Sequence, residues 1–279
     1  MKILALGDSH RVLPKKIKDM SYTDFIGLIN QENRPPGGKF DINKILSKTF
    51  IDRKSNVLEI GCSNGFTSLE IARLVECNIW AIDINKNLIE NAKKRIKKEK
   101  VKFIEASAYN IPFKKSMFDL VVCGNATSFM EDKDRAIKEY IRVVKPWRFI
   151  AMSPMYYIKN PPKKFIHKIS NVLKVKIDMR SLEDWLNLIK KNNLEIYYLR
   201  NFDFQPKNNK ALKEYVKQCL DKPYLKKLPK QIYMEIEKRW INISKLFNKN
   251  ARYLGYSIIL LRKREEREES ELLHRRKLS

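Results

Sequence analysis

Two segments of the chain have the residue types and spacing to hold a ligand. The first is Val57-Leu58-Glu59-Ile60-Gly61-Cys62-Ser63-Asn64-Gly65-Phe66-Thr67, an apolar run that enters a turn of small residues and continues into an amphipathic helical pattern. Gly61 and Gly65 permit close approach to the main chain where a side chain would block it. Because tight strand-to-helix turns need glycine in many folds, the second segment decides. Eighteen residues after Gly65, the apolar run Trp80-Ala81-Ile82 ends in Asp83 and Ile84. A carboxylate at a strand tip beside such a turn can accept both hydroxyls of a ribose diol. Asp83 has an alternative role as the cap of the following helix, for which Asn85 also qualifies. Spacing and strand-end position favour the sugar-binding role, and the pair points to a nucleoside-bearing cofactor.

Further along, Ile104-Glu105-Ala106-Ser107-Ala108-Tyr109-Asn110-Ile111-Pro112-Phe113 forms a third segment of interest, and Phe118-Asp119-Leu120-Val121-Val122-Cys123-Gly124-Asn125 a fourth. Asn125 reads either as a substrate-facing side chain or as a turn residue that tolerates a left-handed backbone. Tyr156, Tyr157 and Trp240 are candidates to line an acceptor cavity, with core packing the commoner role for an aromatic residue. Tyr109, Tyr156, Tyr157 and His167 are the groups able to assist a deprotonation. Asn160-Pro161-Pro162-Lys163 reads as a loop. Gly7-Asp8-Ser9-His10 lacks the Asp-x-x-His partner that a nucleophile turn of its kind would need.

From Val57 to Ser153 these segments resemble the successive motifs of the class I (Rossmann-like) S-adenosylmethionine-dependent methyltransferases, of the methyltransferase type 11-like group. The resemblance implies that S-adenosyl-L-methionine is bound by Glu59, Gly61, Cys62, Ser63, Gly65, Asp83, Ile84, Ser107, Ala108 and Asn125. Asp83 would take the ribose. Ser107 stands where the family carries an Asp, so adenine recognition would lean on the backbone around Ala108 and on Ile84. In Arg142-Val143-Val144-Lys145-Pro146-Trp147-Arg148, Trp147 and Arg148 occupy glycine positions of the family's turn, which is therefore expected to use different dihedrals. A sulfonium carries its own electrophile, so alignment and water exclusion suffice and no fixed acid–base pair is required. The expected acceptor is a small molecule, with Asn125 and Tyr156 facing it. The alternatives are an RNA or protein methyltransferase that uses the basic surface, and a regulator that binds the cofactor without turnover.

The elements that must position these groups follow from the pattern. Short apolar runs alternate with helical segments from Val57 onward, which predicts an α/β fold with a doubly wound, mostly parallel sheet. Seven strands are expected at residues 57–60, 79–82, 102–105, 118–123, 148–153, 194–199 and 253–261. Helices are expected at 22–29, 42–47, 67–75, 86–98, 133–144, 163–173, 181–191, 207–220 and 229–247, with Ser181 a capping candidate. The division is an N-terminal extension (1–40), a catalytic domain (41–263) with a helical insertion (205–250) before the last strand, and a charged tail (264–279). Met1–Leu6 is a further strand candidate. Tyr22, Phe25 and the stiff turn Pro36-Gly37-Gly38 are expected to close over the cofactor.

At 279 residues and 43% hydrophobic the chain can bury a substantial core. Its formal charge of +26 favours anionic partners, but lysines occur nearly everywhere, so a solvated surface is preferred to a nucleic-acid face. No apolar run reaches the roughly 18 residues of a membrane span, and a cytoplasmic protein without a membrane partner is expected. The scattered Cys62, Cys77, Cys123 and Cys219 suggest neither disulfides nor a metal site. Oligomeric state is left open.

Overall fold

The computed structural model describes residues 17–265. The strand candidate at residues 1–6, the Gly7-Asp8-Ser9-His10 turn and the tail from residue 266 lie outside the described residues.

Helices α1 (Tyr22–Leu28) and α2 (Lys39–Thr49) precede an alternating series: β1 (Asn56–Ile60), α3 (Phe66–Val75), β2 (Asn78–Asp83), α4 (Lys86–Lys93), β3 (Val101–Glu105), β4 (Phe118–Cys123), α5 (Lys133–Val143) and β5 (Val144–Met152). The second half adds β6 (Met155–Tyr157), α6 (Lys163–Leu173), α7 (Leu182–Lys191), β7 (Glu195–Asp203), α8 (Asn209–Leu220), α9 (Pro223–Lys226), α10 (Lys230–Ala251) and β8 (Leu254–Arg262). The strands line up as β3-β2-β1-β4-β5-β8, with β7 along the other edge of β8. β1 to β5 are parallel, and β8 runs against them. The chain leaves β1 toward β2 and β3, then returns to β4 on the opposite side. The order therefore reverses between β1 and β4, and a crevice opens above the strand tips there.

Helices cover both faces because the central strands are apolar on both. β4 is buried at all six positions. Val57, Leu120, Val122 and Ala151 pack beneath α2, α3 and α4, and Leu58, Val121, Ile150 and Met152 pack beneath α5 and α7. At the opposite end from the tips, the buried Asp119 accepts from the N–H of Asn56 (2.9 Å) and from Lys145 Nζ (2.9 Å), which ties β1, β4 and β5 together. The α7 cap is reciprocal, with Ser181 Oγ accepting from Asp184 N (3.2 Å) and Asp184 Oδ2 from Ser181 N (2.7 Å).

Periodicity left two features unread. Among the described residues β6 makes eight strand segments rather than seven, yet it continues the register of β5 along β8: Met152 opposes Ile259 and Met155 opposes Tyr256. Ser153 and Pro154 interrupt one line of strand, since proline has no N–H for the ladder, while the Pro154 carbonyl still accepts from Ser257 N (3.2 Å). The expectation of altered dihedrals at residues 147–148 is overturned. Trp147 keeps the left-handed backbone (φ 59°) that a glycine would supply. Its N–H donates to Lys263 O (2.7 Å) and its ring lies under the Arg262 guanidinium (5.6 Å).

Helices α8, α9 and α10 fall between β7 and β8 and pack with α1 around Phe25, Trp240, Ile232 and Ile236. Among the described residues no helix is long and apolar enough to cross a membrane.

Candidate functional site

The turn from β1 to α3 is built on left-handed backbone at Gly61 (φ 68°), Ser63 (φ 49°) and Gly65 (φ 81°). Gly61 N and Cys62 N both donate to Ile82 O (2.8 and 3.0 Å), so the tip of β1 is pinned to that of β2. A Cβ at position 61 would lie 2.3 Å from Ala126 Cβ, and one at position 65 would lie 2.6 Å from Phe103 Cζ. Glycine is thus demanded twice at each position, by dihedral and by contact. Two buried polar atoms on this turn, Ser63 Oγ and Asn64 Oδ1, have no hydrogen-bond partner among the described residues. Buried polar atoms are normally paired, so this pair fits a ligand-binding turn.

Asp83 faces the turn from the neighbouring strand. Its Oδ2 accepts from Ser63 N (2.9 Å) and its Oδ1 from Asn85 N (2.9 Å). The helix cap is Asn85, whose Oδ1 accepts from Asn87 N and Leu88 N, so Asp83 is not spent on capping. Each carboxylate oxygen keeps a further lone pair for a ligand hydroxyl. Burial raises the Asp83 carboxyl above the usual range, against the pull of the main-chain donors of Asn85, Ser63 and Ile84. The Ile84 side chain beside it is 74% exposed.

Glu59 lies behind the turn, 5% exposed, with Oε2 accepting from Ser68 N (2.9 Å) and from the Ser68 hydroxyl. It holds the first turn of α3 from below. Burial pushes its carboxyl up to about 7, with the Asp83 charge adding to the effect and bonds from Ser68 and Thr67 opposing it. The folded state therefore keeps a proton that the unfolded chain releases near 4.5, and stability falls as pH rises from about 4.5 to 7. A Glu59→Gln protein is expected to lose roughly 3 kcal/mol of that pH dependence, which urea titrations across the range would measure. An unchanged slope would refute the assignment.

The remaining sequence candidates divide. Cys62 is buried, its thiol raised by burial and by the nearby Glu59 and Asp83 carboxylates. Ser107 Oγ accepts from Tyr109 N (3.1 Å), and Ala108 is buried against the α5 face of the sheet. Asn125 has φ −132°, so the left-handed reading is corrected. Its Oδ1 accepts from Ser128 Oγ (2.6 Å) and Met155 N (2.9 Å), which ties the β4 tip to β6. Tyr156 is buried, its hydroxyl bonded with Ser257 Oγ (3.0 Å) and Tyr256 O (3.4 Å). Tyr156 and Tyr157 line an open groove of about 580 Å³ with Leu182, Asn201 and Phe202. Trp240 is instead buried among the insertion helices, and His167 sits on the exposed side of α6.

Tyr22 and Phe25 do not reach the strand tips. Phe25 is buried 6.2 Å from the Trp240 ring and Tyr22 meets Phe247 at 5.5 Å, because α1 turns its apolar side to α10. The segment after α1 takes that place. Fully buried Asn64 donates through Nδ2 to Gln31 O (2.6 Å), Arg34 stacks over Phe66 (4.8 Å), and a Cβ on Gly124 would touch Pro35 (3.4 Å). Asp41, also fully buried, accepts from Gly37 N (2.9 Å) and Tyr256 OH (3.3 Å), and burial raises its carboxyl. Asn64 stood inside the glycine turn and Asp41 between the apolar Phe40 and Ile42; an acid within an apolar stripe was the available signal.

A methyltransferase domain family matches residues 58–152. An uncharacterized protein of Haemophilus influenzae is 23% identical over 181 residues, covering 63% of this chain and 72% of that protein. The 2-phytyl-1,4-naphtoquinone methyltransferase of Nostoc punctiforme is 29% identical over 113 residues, 38% of this chain and 49% of the enzyme, so the chain spans about half of that relative. Two solved structures share the fold. The MccD protein superposes with a TM-score of 0.70 at 22% identity over 83% of this chain and 100% of its own. Haemonchus contortus phosphoethanolamine N-methyltransferase 2, in complex with S-adenosyl-L-methionine, does so at 0.69 with 17% identity over 91% of this chain and 60% of its own. Residues 58–152 therefore match a methyltransferase domain, and the chain shares the Rossmann-like fold of solved methyltransferases, one of them in complex with S-adenosyl-L-methionine.

Proposed function

We propose that the chain transfers the methyl group of S-adenosylmethionine to a small-molecule acceptor. The observation that carries the reading is the junction of two strand tips, where Ser63 N meets Asp83 Oδ2 at 2.9 Å beside two left-handed glycines. On this reading the main chain of Gly61, Cys62, Ser63 and Gly65 follows the methionine portion, and the remaining lone pairs of Asp83 take the ribose hydroxyls. Ile84 covers one face of the adenine, and Ser107 and the Ala108 main chain meet its edge. Glu59 acts as a positioning residue through the first turn of α3. The bound cofactor supplies an electrophilic methyl group on a sulfonium, so the protein's share of the work is to align the acceptor and exclude water.

Asn125 sets the acceptor side by holding the β4 tip to β6. The groove at Tyr156, Tyr157 and Phe202 is then the place for the acceptor body. Support for a small acceptor comes from relatives named for a quinone and from a structural neighbour named for phosphoethanolamine. Purified protein incubated with methyl-labelled cofactor and fractionated extract is expected to label the low-molecular-weight fraction. Label confined to RNA or protein would overturn the small-molecule reading. Saturable cofactor binding with no labelled fraction would make the chain a regulator instead.

A further inference from the structure

The chain carries lysines almost everywhere, and in most places acids lie among them. Lys94, Lys97 and Lys98 sit with Glu90 and Glu99, and the Glu99 carboxylate accepts from the main-chain N–H of both Lys97 and Lys98. Residues 158–179 differ. Lys159, Lys163, Lys164, Lys168, Lys174 and Lys176 are all exposed, and none enters an ion pair among the described residues. The stretch contains one acid, Asp178, which is already held by Lys133 (3.0 Å) and Arg180 (2.6 Å).

The fold turns the cations of α6 away from the core, and Lys174 and Lys176 lie at the end of that helix beside Ser170 and Asn171. Ile169 and Leu173 of α6 are buried against Leu246, which turns Lys164, Lys168 and Asn171 outward at helical spacing. An 11-residue helix is about 16 Å long, so the lysines of α6 and its flanks share a small area. An open hollow of about 450 Å³, lined by Ser170, Asn171, Lys174, Val175 and Lys176, ends the helix; there the Lys174 ammonium donates to Asp19 O and Ser170 Oγ accepts from Ile177 N (3.3 Å), while the Lys176 ammonium is exposed. Two exposed aliphatic side chains, Ile158 (47%) and Met179 (40%), flank the cations.

We propose that this face docks on an anionic lipid bilayer, with headgroup phosphates at the lysines and the hollow, and Ile158 and Met179 entering the interfacial layer. Six lysines lie within the range of a basic cluster that reads as an acidic-lipid site, and aliphatic side chains beside such a cluster add apolar burial in the headgroup region. RNA fits less well. Its recognition uses exposed aromatic rings for stacking and the forked donors of arginine, and the large exposed apolar side chains of this face are aliphatic. The earlier expectation of no membrane partner rests on the lack of a spanning segment, which a peripheral surface does not need. The docking rests on the cations and not on the proposed function, although Ile158 also lines the groove at Tyr156 and Tyr157.

Cosedimentation with phosphatidylcholine vesicles, with and without phosphatidylserine, tests it at low and moderate salt. The protein is expected to sediment only with the phosphatidylserine vesicles and to be released by salt. A K163E/K164E/K168E protein is expected to partition roughly 100-fold more weakly, at about fivefold for each lysine lost and more for reversal. A K94E/K97E/K98E protein, with the same change in net charge, is expected to partition within about twofold of the parent. Matching melting curves establish that both variants are folded, and a K174A/K176A protein tests the hollow separately with a smaller loss. Equal weakening by the two triple variants, equal sedimentation with both vesicle types, or displacement from vesicles by stoichiometric RNA would overturn the proposal.

Discussion

An Asp83→Ala protein is expected to bind S-adenosylmethionine roughly 100-fold more weakly or worse, because the substitution removes hydrogen bonds to a charged acceptor, each of which contributes about 1.5–3 kcal/mol. Asp83 accepts from Ser63 N and Asn85 N, so its loss also leaves two main-chain donors without their partner. Isothermal calorimetry reads the affinity, and a thermal melt on the same sample separates it from unfolding. Asp83→Asn serves as the control. It keeps one accepting oxygen but must turn an N–H toward a main-chain donor, so its affinity is expected between those of the parent and Asp83→Ala. Because burial raises the Asp83 carboxyl, affinity should already decline above the ordinary carboxylate range as pH is lowered. Undiminished binding by the alanine variant would remove the basis for the proposed function.

Gly61→Ala is expected to cost roughly 3 kcal/mol of stability and to abolish saturable cofactor binding. Left-handed backbone at φ 68° contributes about 1–2 kcal/mol of this for a residue with a Cβ, and overpacking contributes about 1–3 kcal/mol, since the new Cβ would lie 2.3 Å from that of Ala126. The two causes separate in a double variant. Gly61→Ala with Ala126→Gly removes the collision and leaves the dihedral, so urea denaturation is expected to show about half of the loss restored. A singly substituted protein as stable as the parent would mean that neither constraint operates.

The half of the fold that holds the candidate site was legible because its signals are local. Parallel strands buried on both faces read as apolar runs, and β1, β2 and β4 fall where those runs lie. Glycine in the turn and acid at the strand tip depend on a few neighbouring residues, so spacing alone brought Gly61, Gly65 and Asp83 together. The segment at residues 31–41 was less legible, since what Gln31 and Asp41 do depends on Asn64 and Tyr256, far away in the chain. β6 was hidden because three residues are too few for a period of two to show. Trp147 was misjudged because the neighbouring chain, through Lys263 O and Arg262, holds a backbone conformation that local preference disfavours.

The unbroken register from β5 into β6 divides labour within the molecule. Asn125 fixes the β4 tip to Met155, and Tyr156 follows on the same line beside β8, so the β4 tip and the groove at Tyr156 belong to one stiff frame. Helix α6, and α8 to α10, are hung between strands of that frame, whereas α7 covers the sheet through Trp185 and Ile189 and must be kept. A lineage could in this way trade one acceptor for another while inheriting its methyl-donor apparatus intact.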